Sequence, residues 1–440
     1  MWLLRAGGMA LLVVLTSCYF FPFEFSFLPD INTKMAMAGF GLLLLTVELA
    51  RKRQSMIDGS FLQLSAWAAG VSLIGFLSVV VNDTHAYTYA TYLVSMWVWV
   101  SGAYVVTRAI RGMHGGISVE LVCNYLIAVC VVQCLIAFAM SQVPALKHFV
   151  DGFLGSTGFM GKMENRMYGI GASLDVAGSR FSAVLVMIAY QMTRLAETPR
   201  RGWVILYLVA FIIVVVIGNM MSRTTSVGAI VALLYLFWRS RIFTLHLTSG
   251  MSRLYGWLVA ALLVAVGLTV YGYQTNPAFR ANLRFGFEGF FSLVEEGRWD
   301  VHSNEILKEM YVFPDNTKTW LIGDGYFDNP NEAEPYYVGP VWHGFYQNTD
   351  VGYLRFIYYF GIFGLGAFVL FLLKTGQICM KRFTNQQSLF LVVLLLNFLV
   401  WFKVSTDLFL VFALFLCIGE EENRTYELRC TSESGESGES

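Results

Sequence analysis

The chain has 440 residues, of which 56% are hydrophobic and 14% are charged. Soluble domains carry about 25% charged residues, so this composition excludes a soluble globular, disordered or fibrous protein and indicates a polytopic membrane protein. Lysine plus arginine, 30 in all, balance 30 acidic residues, which gives the chain no overall attraction to nucleic acid.

Apolar runs of bilayer-spanning length recur along the chain. A span needs about 20 apolar residues and must satisfy its own backbone hydrogen bonds, so each run is expected to be a helix. The pattern predicts an all-α protein with about twelve transmembrane helices, at roughly 6–22, 35–50, 60–81, 88–107, 117–140, 172–192, 203–220, 225–238, 254–273, 350–373, 386–402 and 406–419. The first run resembles a signal peptide, but no small-residue cleavage pattern follows it, so we expect an uncleaved first span. Residues 1–430 are then a single transmembrane domain.

Lysine and arginine concentrate in alternate short loops, as at Arg51–Arg53, whereas the loop Asn82–Tyr87 has neither. The positive-inside rule therefore predicts that both termini are cytoplasmic. Two long segments then fall on the outer side, at 141–171 and at 274–349, the latter between the ninth and tenth spans. The second is acidic and predicts amphipathic helices at Leu283–Leu293 and Trp299–Met310. Residues 431–440 are polar and of low complexity, which predicts a disordered tail or an appended extension.

Five arginines on the predicted outer side have no topological reason to be there; they are Arg166, Arg180, Arg223, Arg298 and Arg355. Arg223 is the clearest example, because it lies in a short polar break between two apolar runs. A charge within a span is costly, and the planar guanidinium binds phosphate oxygens through two donors, so these residues predict an anionic, lipid-linked substrate. The alternative is a structural role, by snorkelling or by ion pairs of Arg180 with Asp175 and of Arg355 with Asp350.

The chain lacks a Walker motif, a metal-ligand spacing of histidines and a Gly-x-Ser-x-Gly motif, so we expect neither a metal nor a cofactor. Three outer-side residues are candidates for a general base. Asp350 lies just before the tenth span, where an aspartate is also a favoured helix N-cap. His343 and His302 have the better intrinsic basicity but stand alone in the large loop.

Several short motifs follow one another in a recognisable order; they are Arg166-x-x-Gly169, Ser222-Arg223, Gly297-Arg298, Leu321–Gly325, Asn348–Leu354 and Gly361–Leu365. Their order and their placement relative to the spans resemble the bacterial O-antigen and capsule polysaccharide polymerases (Wzy type) and the related O-antigen ligases. The resemblance covers most of Arg166–Leu373. Ligases usually carry a His-Asn pair near the start of the helix after the large loop, and Asp350 stands where that histidine would be, which favours a polymerase.

The resemblance implies a metal-independent, inverting glycosyltransferase of the bacterial inner membrane, with its active site facing the periplasm, that serves lipopolysaccharide or capsule biosynthesis. Donor and acceptor are oligosaccharide repeat units linked to undecaprenyl diphosphate, and membrane lipids surround the lipid chains of both. By resemblance, Arg223 and Arg298 match the arginines that bind the diphosphate, and Arg166 matches a further basic position. A chain-length regulator protein is a candidate partner.

Two other functions stay open from the sequence. An O-antigen ligase differs in its acceptor, which is lipid A core in place of another repeat unit. A secondary transporter, including a polysaccharide flippase, predicts pseudo-repeated halves, short loops and charges near the middle of the bilayer, in contrast to the long outer loop and the outer-side arginines of this chain.

Overall fold

A computed structural model describes residues 2–51, 59–155, 166–196, 202–240, 249–330 and 344–436. Most of these residues are helical. Strands β1 (Glu24–Phe25) and β2 (Leu28–Asn32) form one short antiparallel hairpin after the first helix. The helices are α1 (Trp2–Phe20), α2 (Thr33–Ala50), α3 (Gly59–Asn82), α4 (Tyr92–His114), α5 (Val119–Gln142), α6 (Pro144–Phe153), α7 (Leu174–Leu195), α8 (Gly202–Met221), α9 (Thr225–Arg239), α10 (Ser249–Thr275), α11 (Pro277–Gly286), α12 (Glu288–Glu296), α13 (His302–Glu309), α14 (Thr317–Leu321), α15 (Gly352–Arg382), α16 (Gln387–Val400), α17 (Phe409–Leu416) and α18 (Glu420–Glu436).

The structure is that of an all-α polytopic membrane protein. Among the described residues, seven helices are long and apolar enough to cross a bilayer, and they are α2, α3, α4, α5, α8, α10 and α15. Shorter apolar helices occur at Leu4–Phe20, Thr225–Arg239 and Thr384–Val400. Each of the twelve runs predicted to be helical overlaps a helix, and the largest differences in length are at α10, which begins at Ser249, and at α15, which continues to Arg382. How many of these helices cross the membrane remains a prediction.

The large loop differs from its prediction in detail. One helix was predicted over Leu283–Leu293, whereas the chain breaks at Phe287, where α11 ends and α12 begins. A close packing contact explains the break, because Gly286 lies directly against the backbone of Asn219 and Met220. The predicted helix at Trp299–Met310 is confirmed in a shorter form as α13.

The predicted disordered tail is also different in its described part. Helix α18 continues from Glu420 through Glu436 and so includes the first six residues of that tail. A helix that is already nucleated extends at low cost, which explains why a polar sequence with weak helix propensity joins it. Residues 437–440 lie outside the described residues.

The chain divides into two compact units. Unit 1 comprises residues 1–37, 102–299 and 418–440, and unit 2 comprises residues 38–101 and 300–417. In unit 1, α7 is the central helix, because almost all its side chains from Ala177 to Thr193 are buried against α5, α8 and α9. Helices α7 and α9 approach closely where Gly228 lies against Ser182, since glycine lets two backbones come together.

In unit 2, part of the large loop is hydrogen-bonded to a kink in α15. The regular helix is interrupted at Phe360 and Gly361, and Gly361 has a positive φ of 67°. The carbonyls freed by the kink accept hydrogen bonds from the loop after α14, from Asp324 N to Tyr358 O (2.6 Å) and from Gly325 N to Tyr359 O (3.1 Å). Two short glycine motifs of the sequence therefore meet, and the meeting fixes the path of the loop beside the start of α15.

Candidate functional site

A polar break separates α8 from α9 at Ser222–Thr224. The hydroxyl of Ser222 donates to Oδ1 of Asp175, in the first turn of α7, over 3.0 Å, and the hydroxyl of Thr224 donates to the same oxygen. The carbonyl of Thr224 accepts a further hydrogen bond from Ser182 over 3.0 Å. Both neighbours of Arg223 are thus held by α7, so the backbone that carries the arginine is fixed.

The guanidinium of Arg223 is held on three sides by the loop helices. Its Nη2 lies 2.6 Å from Oε2 of Glu288, and its Nε donates to the carbonyl of Phe285 over 2.9 Å. Its central carbon lies 4.3 Å from the centre of the Phe285 ring. The side chain is 16% exposed. Residues more than 60 positions apart in sequence therefore meet here.

Arg166 lies on the same ring. Its guanidinium carbon is 5.0 Å from the centre of the Phe285 ring, which brings together Arg166 and Arg223, two of the five predicted phosphate-binding arginines. Burial, opposed by Glu288 and reinforced by the charge of Arg166, lowers the pKa of Arg223. An arginine nevertheless stays charged at neutral pH, so this group presents positive charge. We call Arg166, Arg223, Phe285 and Glu288 the arginine site.

Arg298 lies elsewhere in unit 1. It follows Gly297 at the end of α12, is 71% exposed, and places its Nε 3.1 Å from Glu296. Glu288, the partner of Arg223, begins the same helix, whose nine residues span about 13 Å. The structure thus joins Arg223 to Arg166 at one end of α12 and leaves Arg298 at the other.

Arg180 is packed inside the helices of unit 1. It is 5% exposed and donates from Nη1 to the carbonyl of Phe20, at the end of α1. Its guanidinium also lies 5.8 and 5.6 Å from the rings of Phe20 and Phe21. Through these contacts Arg180 connects α7 to the end of α1.

Arg355 belongs to unit 2, where aromatic rings and acids surround it. Its guanidinium carbon is 3.7 Å from the ring of Phe327 and 4.6 Å from that of Phe345. Its Nη2 lies 2.5 Å from Asp328, and its Nη1 lies 3.5 Å from Asp350. The alternative pairing expected from the sequence, Arg355 with Asp350, is therefore present, and Asp328 is a second and closer partner.

The candidate bases differ in what the structure describes. Helix α15 begins at Gly352 with Val351 as its N-cap, so Asp350 precedes the cap position that the sequence suggested for it. The Asp350 side chain is 22% exposed. His302 begins α13 on the surface of unit 2, and His343 lies outside the described residues. Among the residues that the structure describes, no group of three or more His, Cys, Asp or Glu side chains could hold a metal ion.

Sequence reasoning missed Phe285, Glu288 and Asp328. Glu288 and Asp328 are two of eleven acids in the large loop, and nothing in their spacing shows which acids fold back onto an arginine. Phe285 is one of 36 phenylalanines, and only its contacts distinguish it. In comparisons with protein-family models, curated proteins and solved structures, this chain gives no match.

Proposed function

We propose that this protein joins oligosaccharide repeat units linked to undecaprenyl diphosphate, as a glycosyltransferase that polymerises polysaccharide at the outer leaflet of the bacterial inner membrane. The observation that carries the proposal is the arginine site. Two guanidinium groups, Arg166 and Arg223, lie on one aromatic ring at the end of an apolar helix bundle. The order of motifs along the chain supports the same reaction.

The charges of the arginine site suit a diphosphate. Two guanidinium groups that share one ring repel each other, and a bridging anion converts that repulsion into attraction. Glu288 occupies the Nη2 edge of Arg223, which is the edge that a phosphate oxygen would take. We infer that Glu288 holds Arg223 in place until a diphosphate replaces it. Each guanidinium can offer two parallel donors to phosphate oxygens, which a lysine cannot.

The same groups suit the chemical step. When the acceptor hydroxyl attacks the anomeric carbon, the bond to the diphosphate breaks and negative charge grows on the departing oxygen. Positive groups that are already fixed in position stabilise this charge without reorganisation. The hydrogen bonds of Ser222 and Thr224 to Asp175 provide such fixing for Arg223.

A membrane-embedded site also suits a lipid-linked substrate. Helix α10 lies next to α8 and α11, and very little of its apolar stretch is buried within the described structure. Its outward side chains, which include Leu263 and Leu268, are exposed and suited to contact lipid chains. A polyprenyl tail that stays in the bilayer could thus reach the arginine site from the side.

The acceptor hydroxyl must lose a proton as it attacks, and we assign this role to Asp350 because of its place in the motif order, just before the tenth predicted span. Arg355 lies 3.5 Å from its carboxylate. Asp328 satisfies the other edge of Arg355 at 2.5 Å, so Arg355 does not depend on Asp350 alone for its charge balance. The remaining arginines, Arg298 and Arg180, act outside the diphosphate contact in this proposal.

The test is a reconstituted reaction. Purified protein in liposomes is supplied with a synthetic repeat unit on undecaprenyl diphosphate, and lipid-linked products are separated by length. Wild-type protein should make a ladder, and Arg223→Ala should slow the reaction about 100-fold, as expected for the loss of one fixed charge-stabilising group. Arg223→Lys should recover part of the rate, since it keeps the charge and loses the paired donors.

Arg284→Ala is the matched control, because Arg284 is on the same loop helix as Phe285 and pairs with Glu295 on the surface. It should leave the ladder unchanged. Transfer of the glycan to lipid A core without a ladder would identify a ligase. Translocation of the lipid-linked unit across the bilayer without either product would identify a transporter.

A further inference from the structure

Helix α6 has one apolar face that the described protein does not cover. Val143, just before the helix, and Leu146, Phe149 and Phe153 are spaced by three or four residues, which places them on one side of a helix. They are exposed by 49%, 36%, 64% and 48%, and none of the residues of α6 is buried. Three phenylalanine and leucine side chains on so short a helix form a continuous apolar surface.

The opposite face of α6 is polar, and two of its side chains contact the protein. Asp151 accepts a hydrogen bond from the Tyr168 hydroxyl over 2.8 Å, and Lys147 lies 5.5 Å from the centre of the Tyr168 ring. His148 is exposed on the same polar side. The helix is therefore oriented by its polar contacts, and its apolar face points away from them.

The β1–β2 hairpin extends this apolar surface. The backbone of Ser26 donates to the carbonyl of Phe153 over 2.9 Å, and its hydroxyl donates to Gly152 over 2.8 Å. Phe27, Leu28 and Ile31 in the hairpin are exposed by 70%, 43% and 44%. Helix α6 and the hairpin are thus one joined element, and we call its exposed apolar residues the apolar surface; they are Leu146, Phe149, Phe153, Phe27, Leu28 and Ile31.

The connections of this element indicate what covers it. Only Val143 separates α6 from α5, a helix of 24 residues that is long and apolar enough to span the bilayer. The hairpin likewise connects two apolar helices, α1 and α2. An element joined to the ends of spanning helices lies at the boundary between lipid and water. An amphipathic helix at that boundary places its apolar face among the acyl chains and its polar face toward water or protein.

We propose that the apolar surface inserts into the lipid leaflet and that α6 lies in the plane of the membrane. Tyr168, which the polar face of α6 holds through Asp151, is two residues from Arg166. The inserted helix therefore sets the depth at which the segment after Arg166 meets the membrane surface. The proposal concerns membrane contact alone and does not depend on the reaction that the protein catalyses.

Spin labels at matched positions test the proposal in the full-length protein reconstituted in phosphatidylglycerol and phosphatidylethanolamine bilayers. Phe149→Cys and Phe153→Cys place a nitroxide on the apolar face, and His148→Cys places one on the polar face. Unmodified protein measures labelling of the native cysteines, and five of the six whose side chains the structure describes are buried. Collision rates with oxygen, which concentrates in lipid, and with a water-soluble nickel chelate are compared at each position.

We expect labels at Phe149 and Phe153 to collide several-fold more with oxygen than with the nickel chelate, and the label at His148 to show the reverse. Similar nickel accessibility at Phe149 and His148 would overturn the insertion. Low accessibility to both reagents at Phe149, with spin–spin broadening, would overturn it in favour of contact with a second copy of the chain. Phe27→Cys repeats the measurement in the hairpin, which keeps the test informative if one α6 variant fails to fold.

Discussion

Arg166 and Arg223 lie against the same aromatic ring, with their guanidinium carbons 5.0 and 4.3 Å from the centre of Phe285. The two residues are 57 positions apart, and they meet because Arg223 is fixed in the break between α8 and α9 while the large loop brings Phe285 to it. Like charges held this close favour an anion between them. The arrangement therefore links the helix bundle, the large loop and the proposed diphosphate in one place.

The ion pair between Glu288 and Arg223 should compete with substrate. Because Glu288 takes the guanidinium edge at 2.6 Å, Glu288→Gln should free that edge and lower KM for the lipid-linked donor. A partly exposed ion pair is worth about 1 kcal/mol, which corresponds to a change of about fivefold. The measurement is the donor dependence of the reconstituted reaction. Glu295→Gln, which breaks the exposed pair with Arg284 at the same 2.6 Å, is the control and should leave KM unchanged. A higher KM in Glu288→Gln would show that Glu288 positions Arg223 for substrate and does not compete with it.

Two acids contact Arg355, and substituting each in turn distinguishes a catalytic base from a structural ion pair. Asp350→Asn keeps the size of the side chain but cannot accept the acceptor proton, so turnover should fall about 100-fold or more while donor binding persists. Asp328→Asn is the matched control, because Asp328 contacts the same guanidinium at 2.5 Å. Single-turnover rates compare the two. Equal losses in both variants would mean that Asp350 serves Arg355 only, and full activity in Asp350→Asn with none in His343→Ala would move the base to His343.

The raised pKa of Glu427 predicts that the stability of the protein depends on pH. Burial and the nearby Glu120 raise its pKa from 4.5 to about 7, although Arg194 and Asn423 oppose the shift. Asn423 donates to Glu427 over 3.0 Å, while Tyr190 and Arg194 contact Glu120 at 3.0 and 3.3 Å. The folded protein then binds this proton more tightly than the unfolded chain, so the contribution of Glu427 to stability is largest below about pH 4.5 and is lost as the pH rises through 7.

Glu427→Gln imitates the protonated acid and removes this dependence. Thermal midpoints measured between pH 5 and 8 should agree for wild-type and variant near pH 5, and the wild-type midpoint should fall below that of the variant by pH 8. The exposed Glu421→Gln provides the control, with no such divergence. A wild-type midpoint that rises relative to Glu427→Gln over this range would contradict the shift.

The side of the membrane that each segment faces is a further prediction. The distribution of basic residues places Lys318 outside and Ser252, in the first turn of α10, in the cytoplasm. A cysteine in place of Lys318 should react with a membrane-impermeant thiol reagent in intact cells, and a cysteine in place of Ser252 should react only after lysis. Both positions are exposed, so access to the reagent differs by side alone. Labelling of Ser252→Cys with a silent Lys318→Cys would invert the topology and exclude an outer site.

The sequence by itself determined that this is a membrane protein and where its helices lie. Long apolar runs have few alternatives in a bilayer, because each must satisfy its own backbone, so composition along the chain is enough to locate them. The sequence also marked Arg223, because a charge between two apolar runs is costly whatever surrounds it. The sequence did not predict the break at Phe287, because that break depends on the contact of Gly286 with α8, which is distant in the chain.

Only the tertiary structure decided what each arginine contacts. Arg298 pairs with Glu296, two positions away, whereas the other arginines make contacts with residues that are distant in sequence. Arg180 reaches back 160 positions to Phe20, and Arg355 takes Asp328 from the loop. Arg223 finds Phe285 and shares it with Arg166. Such contacts depend on how helices and loop pack, and this packing follows from the shapes of many side chains together, which no local pattern records.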